Sequence, residues 1–248
     1  MTTNGGDMLF PGLKPKVARL PENIDLRCCD VAEVLAVARG ARLVIADPPW
    51  QYSSGAAGKG MAQPEENGIY GCADDAAIVG HLDASYECCD PDARLAVWYT
   101  WPKDAEWYEA GNAGKRWGYR KSGGSWTKMR ETSEGAARTQ VGVGYHWRGQ
   151  TEPVALFVRG SCGRTMETLY NGHVSPPGEH SYKPVEWQRA WIRAWTSPGD
   201  LVLDLYAGLG SVAIACALEG RRYIGAEIDP ERHRRAGLNV VQALEGAR

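Results

Sequence analysis

Short apolar runs alternate with helical stretches along this chain, and the alternation restricts its fold more than any other feature. Leu43-Val44-Ile45-Ala46, Leu95-Ala96-Val97 and Leu201-Val202-Leu203 are continuous enough to read as buried strands. Strands are expected at 23–30, 42–46, 94–99, 119–128, 153–159, 200–205 and 222–227. Helices are expected at 32–39, 74–88, 102–113, 184–195, 210–220 and 230–244. Strands and helices in this order imply an α/β domain, a mostly parallel sheet with helices on both faces. Residues 1–23, 53–67, 129–150 and 160–180 read as irregular, because Gly, Pro and polar residues dominate them.

The strand at 42–46 runs straight into Asp47-Pro48-Pro49-Trp50. The prolines fix φ near −65° and donate no N–H, and Pro48 holds Asp47 extended. Backbone carbonyls here are expected to be open acceptors in a stiff frame. A carboxylate, a fixed carbonyl and a flat indole together suit an exocyclic amino group on a planar ring, such as a base extruded from its stack.

A second constellation lies in the last third. Leu201-Val202-Leu203 delivers Asp204 into Leu205-Tyr206-Ala207-Gly208-Leu209-Gly210-Ser211, at a strand-to-helix turn. Gly208 and Gly210 permit close approach of a ligand to the backbone beside a helix N-terminus. One strand later comes Gly225-Ala226-Glu227-Ile228-Asp229, with an acid placed to accept from ribose hydroxyls. A dinucleotide turn wants a third glycine or an alanine, which Ala213 could supply. Asp204 decides against it: a carboxylate there opposes a pyrophosphate but suits the amino group of S-adenosylmethionine.

Composition narrows the class. A net charge of −2 and a pI near 6.2 argue against a uniformly basic nucleic-acid coat. The chain has 10 Trp and 11 Tyr against 2 Phe, a bias toward flat rings with a polar edge. The 7 cysteines are odd in number and contain no C-x-x-C, so neither a disulfide framework nor a metal site is expected. No run reaches transmembrane length and no basic-then-apolar leader opens the chain, so a cytoplasmic protein is expected.

With both constellations in place, the chain resembles the adenine-N6 methyltransferases of nucleic acids that carry Asp-Pro-Pro-Trp, over roughly residues 28–235. Its motif order, catalytic at 47–50 and cofactor at 204–211, resembles the β-class. The glycine-bearing turn resembles bacterial and phage DNA enzymes rather than the messenger-RNA adenosine methyltransferase. The resemblance implies a Rossmann-like, S-adenosylmethionine-dependent methyltransferase acting on DNA in a bacterial or phage-infected cell. It implies one domain over 1–248: an irregular entry at 1–23, a catalytic half at 24–118, a target-recognition segment at about 119–182 and a cofactor half at 183–248.

Residue roles follow from that resemblance. Asp47, Pro48, Pro49 and Trp50 are the expected catalytic set, with Trp50 stacking on the base. Asp30 and Val31, in Cys29-Asp30-Val31, are expected at the cofactor's adenine. Ser181 and Lys183, in Ser-x-Lys-Pro, are expected to hold its carboxylate. Asp204, Tyr206, Ala207, Gly208, Gly210, Glu227 and Ile228, together with Asp47, complete the cofactor set. Tyr52, Tyr70, Lys121, Lys128, Arg130, Arg138 and Arg148 are the expected nucleic-acid contacts, and 231–235 reads as a solvated helix face. No metal is expected, and a homodimer is compatible with this reading. RNA adenine, cytosine N4 and a catalytically silent binding homologue are the alternatives. Cytosine enzymes of this kind tend to carry Ser where this chain has Asp47, which puts adenine first.

Overall fold

The structure is a computed structural model and describes residues 19–50, 74–100, 116–118, 121–131, 136–140, 149–162, 169–176 and 182–247. Among these residues nine strands form one sheet. They are β1 (Ile24–Cys28), β2 (Ala41–Ala46), β3 (Cys89–Trp98), β4 (Ser122–Glu131), β5 (Ala137–Thr139), β6 (Thr151–Arg159), β7 (Gly172–Ser175), β8 (Leu201–Asp204) and β9 (Arg222–Glu227). The order is β1-β9-β8-β2-β3-β6-β4-β5, with β7 paired to β4. From β1 to β3 all neighbours are parallel; β3-β6-β4 and β4-β5 are antiparallel.

The helices are α1 (Val31–Val37), α2 (Asp75–Ser85), α3 (Val185–Trp195), α4 (Ser211–Glu219) and α5 (Pro230–Gly246). Local chemistry sets their starts. Asp30, Asp74 and Asp229 cap α1, α2 and α5 by accepting backbone N–H groups, and Pro230 opens α5.

Side-chain alternation divides the core between the two faces. Val44, Ala46, Leu95, Val97, Leu201 and Leu203 pack with Val31 and Val34 of α1 and with Ile78 and Leu82 of α2. Leu43, Ile45, Ala96, Trp98 and Val202 pack with Trp187, Trp191 and Ile192 of α3 and with α4 and α5. Strands covered on both faces need apolar residues at odd and even positions alike, which is why these runs are continuous in the sequence.

Three expectations change. Cys88 and Cys89 do not end a helix: Tyr86–Cys88 is a 3-10 turn and Cys89 opens β3, which starts five residues before the expected strand. The stretch 129–150 contains β5 and the end of β4, and 160–180 contains β7. These short edge pieces have no apolar pattern, because one side faces solvent and their pairing comes from β4. The helix expected at 102–113 lies outside the described residues.

Candidate active site

The carboxyl edge of the sheet carries one acidic residue per strand, in sheet order. Asp30 follows β1, Glu227 ends β9, Asp204 ends β8 and Asp47 follows β2. Strands lie about 4.8 Å apart, so this row is roughly 14 Å long. Beyond Asp47 come Trp98, at the end of β3, and Glu152, near the start of β6. All six line one cavity of about 390 Å³. It opens where β2 leads on to β3 and β8 leads on to β9 in the opposite direction. This is a topological switch point, the usual place for a ligand in an open α/β sheet.

Asp47 is placed by its strand and stopped by its prolines. Trp50 N–H donates to the Pro48 carbonyl at 2.9 Å, closing the turn, and Trp50 Nε1 donates to the Trp98 carbonyl at 3.0 Å. Lys183 Nζ donates to Asp47 Oδ2 at 2.6 Å and lies 3.3 Å from Glu152 Oε2, with the Trp98 ring centroid 5.2 Å away. Lys128 also binds Glu152. Burial raises the Asp47 pKa, and the Lys183 charge opposes it. Burial pushes Glu152 up as well, but two lysines outweigh it and its pKa falls. Lys183 is held in its charged form: burial lowers its pKa, but the two carboxylates outweigh it.

The glycine turn forms the next wall. Gly208 and Gly210 have φ of 56° and 86°, a region that costs other residues strain. Asp204 is 1% exposed and accepts from Tyr223 Oη at 3.0 Å and from Tyr206 N–H at 3.3 Å. Burial pushes its pKa up to about 7, with those two donors pulling back. Tyr223 reaches it by crossing Gly225, where a Cβ would sit 2.1 Å from the hydroxyl. Glu227 accepts from Gly208 N–H at 2.8 Å and Asp229 N–H at 3.0 Å, and Arg232 Nε lies 3.9 Å away. Burial raises the Glu227 pKa too. At the Asp30 end, His81 Nδ1 and Tyr206 Oη are 3.0 Å apart.

Comparison with known proteins adds to this geometry. The model of a family described as DNA methylase, N6_N4_Mtase, matches residues 89–237, more than half of the chain. The chain belongs to that family. It is 37% identical over 89 residues to the type II methyltransferase M.XycI of Xanthomonas campestris pv. cyanopsidis, covering 35% of this chain and 28% of that protein. It is 40% identical over 78 residues to the putative methylase YubD of Escherichia coli K12, covering 32% and 33%. The chain thus spans about a quarter to a third of the length of the curated relatives it matches. In fold it is similar to M1.HpyAVI solved with SAM (TM-score 0.63, 15% identity, 88% and 99% of the two chains). It is equally similar to the cytosine-N4-specific PvuII DNA methyltransferase (TM-score 0.63, 13% identity, 92% and 94%). These likenesses establish the Rossmann-like methyltransferase fold.

Most residues expected in the site are brought together. Asp30, Val31, Asp47, Pro48, Pro49, Trp50, Lys183, Asp204, Tyr206, Ala207, Gly208, Glu227 and Ile228 line the cavity. Gly210 instead packs behind it, where a Cβ would lie 3.0 Å from the Ala236 Cβ. Tyr52, Tyr70, Arg148 and Ser181 lie outside the described residues. Lys121, Arg130 and Arg138 are exposed and are not among the lining residues.

The structure gives several of these residues partners that the sequence did not indicate. Lys183 is clasped by Asp47 and Glu152. Lys128 is 19% exposed and paired with Glu152, not presented to a phosphate. Trp50 is 5% exposed with its N–H engaged, so it is first a core residue and offers little face for stacking. The Pro48 carbonyl is not fully open, since it accepts from Trp50. Arg232 is no solvated face; it reaches over Gly208 into the cavity lining. Sequence reasoning also missed His81, Trp98, Glu152 and Gln188 as lining residues. Only Gln188, one turn past Lys183-Pro184, carried a local hint; the others are placed by strand neighbours distant in the chain.

Proposed function

We propose that this protein transfers a methyl group from S-adenosylmethionine to the exocyclic N6 of adenine in DNA. The carrying observation is the adjacency of Asp47 and Asp204 at the ends of neighbouring strands, within one row of acids. Asp30, Glu227 and Asp204 suit in turn a purine amino group, a ribose diol and a cationic amine, and the row's length suits one extended nucleoside with an amino-acid tail. Among the described residues, buried Trp98 Nε1 and Gln188 Oε1 have no hydrogen-bond partner, and both residues line the cavity. Unpaired buried polar atoms are costly, so a polar ligand fits the site. The cofactor, when bound, supplies an electrophilic methyl group on a sulfonium.

The chain's own residues do the rest. Asp47 accepts an N–H of the target amine, and the second lone pair of the Pro48 carbonyl is available to another. Both contacts draw the amine out of conjugation and aim its lone pair. Lys183, bonded to Asp47 and Glu152, fixes the carboxylate that does this. The proton becomes acidic only as the new bond forms, so Asp47 need not be a strong base. Positioning and preorganised charge carry most of the acceleration. Asp47, where cytosine enzymes tend to carry Ser, supports adenine.

Matched DNA and RNA oligonucleotides methylated with labelled cofactor, then digested to nucleosides, test this reading. N6-methyldeoxyadenosine is the expected product. A label on cytosine, on RNA alone or on no base would reject it.

A further inference from the structure

The strand β4, which touches the cavity-lining Glu152 through Lys128, continues outward to a pair of arginines. Trp126, Lys128 and Arg130 alternate along one face of this strand. Trp126 is buried against Trp98 in the cavity wall, and Lys128 binds Glu152. Arg130 comes two residues further out, roughly 7 Å along the strand. Its register partner on β5, directly opposite, is Arg138.

Both arginines are exposed. Like charges directly opposite in an antiparallel pair are destabilising. Nothing among the described residues offsets them: neither guanidinium has a carboxylate partner there. Arg130 Nε is steadied by Gln140 Oε1 at 3.2 Å, which leaves its two terminal nitrogens directed elsewhere. Two adjacent guanidiniums supply forked donors that match phosphate oxygens.

Placement names the phosphate. β4 runs parallel to β2 and β3, so its end lies at the edge that carries Asp47. A base held between Asp47 and Glu152 leaves its backbone at the cavity mouth, beside this hairpin. We infer that Arg130 and Arg138 form a clamp for a single phosphodiester flanking the extruded nucleotide. The inference rests on the proposed nucleic-acid methylation. Of the nucleic-acid contacts expected from the sequence it takes up Arg130 and Arg138, and it leaves Lys128 to Glu152.

The test uses the full chain and a fluorescent duplex that the wild type methylates. Arg138→Gln and the Arg130→Gln/Arg138→Gln double variant are titrated by anisotropy across a salt series. Affinity is expected to fall about tenfold near 0.1 M salt, and the slope of log K against log salt to become shallower by about one. A duplex with one neutral methylphosphonate beside the target adenine is expected to weaken wild-type binding by the same factor, with no further loss in the variants. Melting temperature is expected to hold or rise, since a repulsion is removed, and cofactor titrations to stay unchanged. Wild-type affinity and slope in the variants, additive losses with the methylphosphonate, or a lower melting temperature would overturn the clamp. Wild-type protein that methylates no nucleic acid would instead overturn the underlying function.

Discussion

Lys183 Nζ stands 2.6 Å from Asp47 Oδ2, joining two positions 136 residues apart. The lysine is 8% exposed, and the aspartate keeps 37% of its side-chain surface open. One partner is therefore sealed in the protein while the other still faces the site. In the proposed reaction Lys183 is therefore a positioning residue, and the polar contact with substrate falls to Asp47.

Lys183→Met leaves Asp47 and Glu152 close together with one fewer cation. The cost is on the order of 2 kcal/mol, between values for exposed and buried pairs. Asp47 then holds its proton to higher pH, because the Lys183 charge that opposed its burial is gone. The acid limb of the kcat/KM profile is expected to move upward. An unmoved limb, measured with labelled cofactor, would count against a link between the two residues.

Asp47→Ala is expected to lower methyl transfer by about three orders of magnitude or more, the scale of losing a preorganised acceptor. Cofactor affinity in isothermal titration is expected to change only a few-fold, because Asp204 and Glu227 remain. Full transfer in this variant would refute the catalytic assignment.

As the proposed partner of the cofactor's amine, Asp204 is expected to tie cofactor binding to pH. Its pKa is pushed up to about 7, chiefly by burial. Only the ionised form offers charge to a cationic amine. Affinity is expected to climb as pH rises from 6 to 7 and to level off above 8. Tyr223→Phe removes a donor to the carboxylate and moves that plateau to higher pH. Calorimetric titrations from pH 6 to 9 check both, and a flat profile in the wild type would rule out this role.

The same group costs the fold stability. Its folded pKa lies above the ordinary 3.8, so the retained proton stabilises fully below about pH 4 and that contribution is lost as pH rises through 7. Asp204→Asn keeps the geometry without the charge. It is expected to melt higher than wild type at pH 8, not at pH 4, while binding cofactor at least tenfold more weakly. Melting curves at the two pH values decide it.

Gly225→Ala would place a Cβ 2.1 Å from Tyr223 Oη. Tyr223 must move off Asp204, and the crowded core loses roughly 1–3 kcal/mol. Urea unfolding should register the loss, and the pH plateau of cofactor binding should shift as in Tyr223→Phe. A stable variant with an unshifted plateau would show that the hydroxyl has other room.

The sequence alone was enough to expect the central strands and helices and the two groups of residues that meet at the cavity. Buried parallel strands demand continuous apolar runs, so β2, β3, β8 and β9 were legible, and so were the acids and glycines at their ends. Those features depend on neighbours a few residues away. Strand order decided the rest. Only the pairing of β8 with β2 puts Asp204 beside Asp47, and only the antiparallel β3-β6-β4 arm brings Glu152 and Lys128 to Lys183. No local pattern encodes such contacts. Lys183 and Lys128 therefore read as ligand-facing charges in the sequence, and Arg232 as a solvated one. The tertiary structure gives each of them a carboxylate neighbour, Asp47 and Glu152 for the lysines and Glu227 for Arg232, that the sequence did not point to.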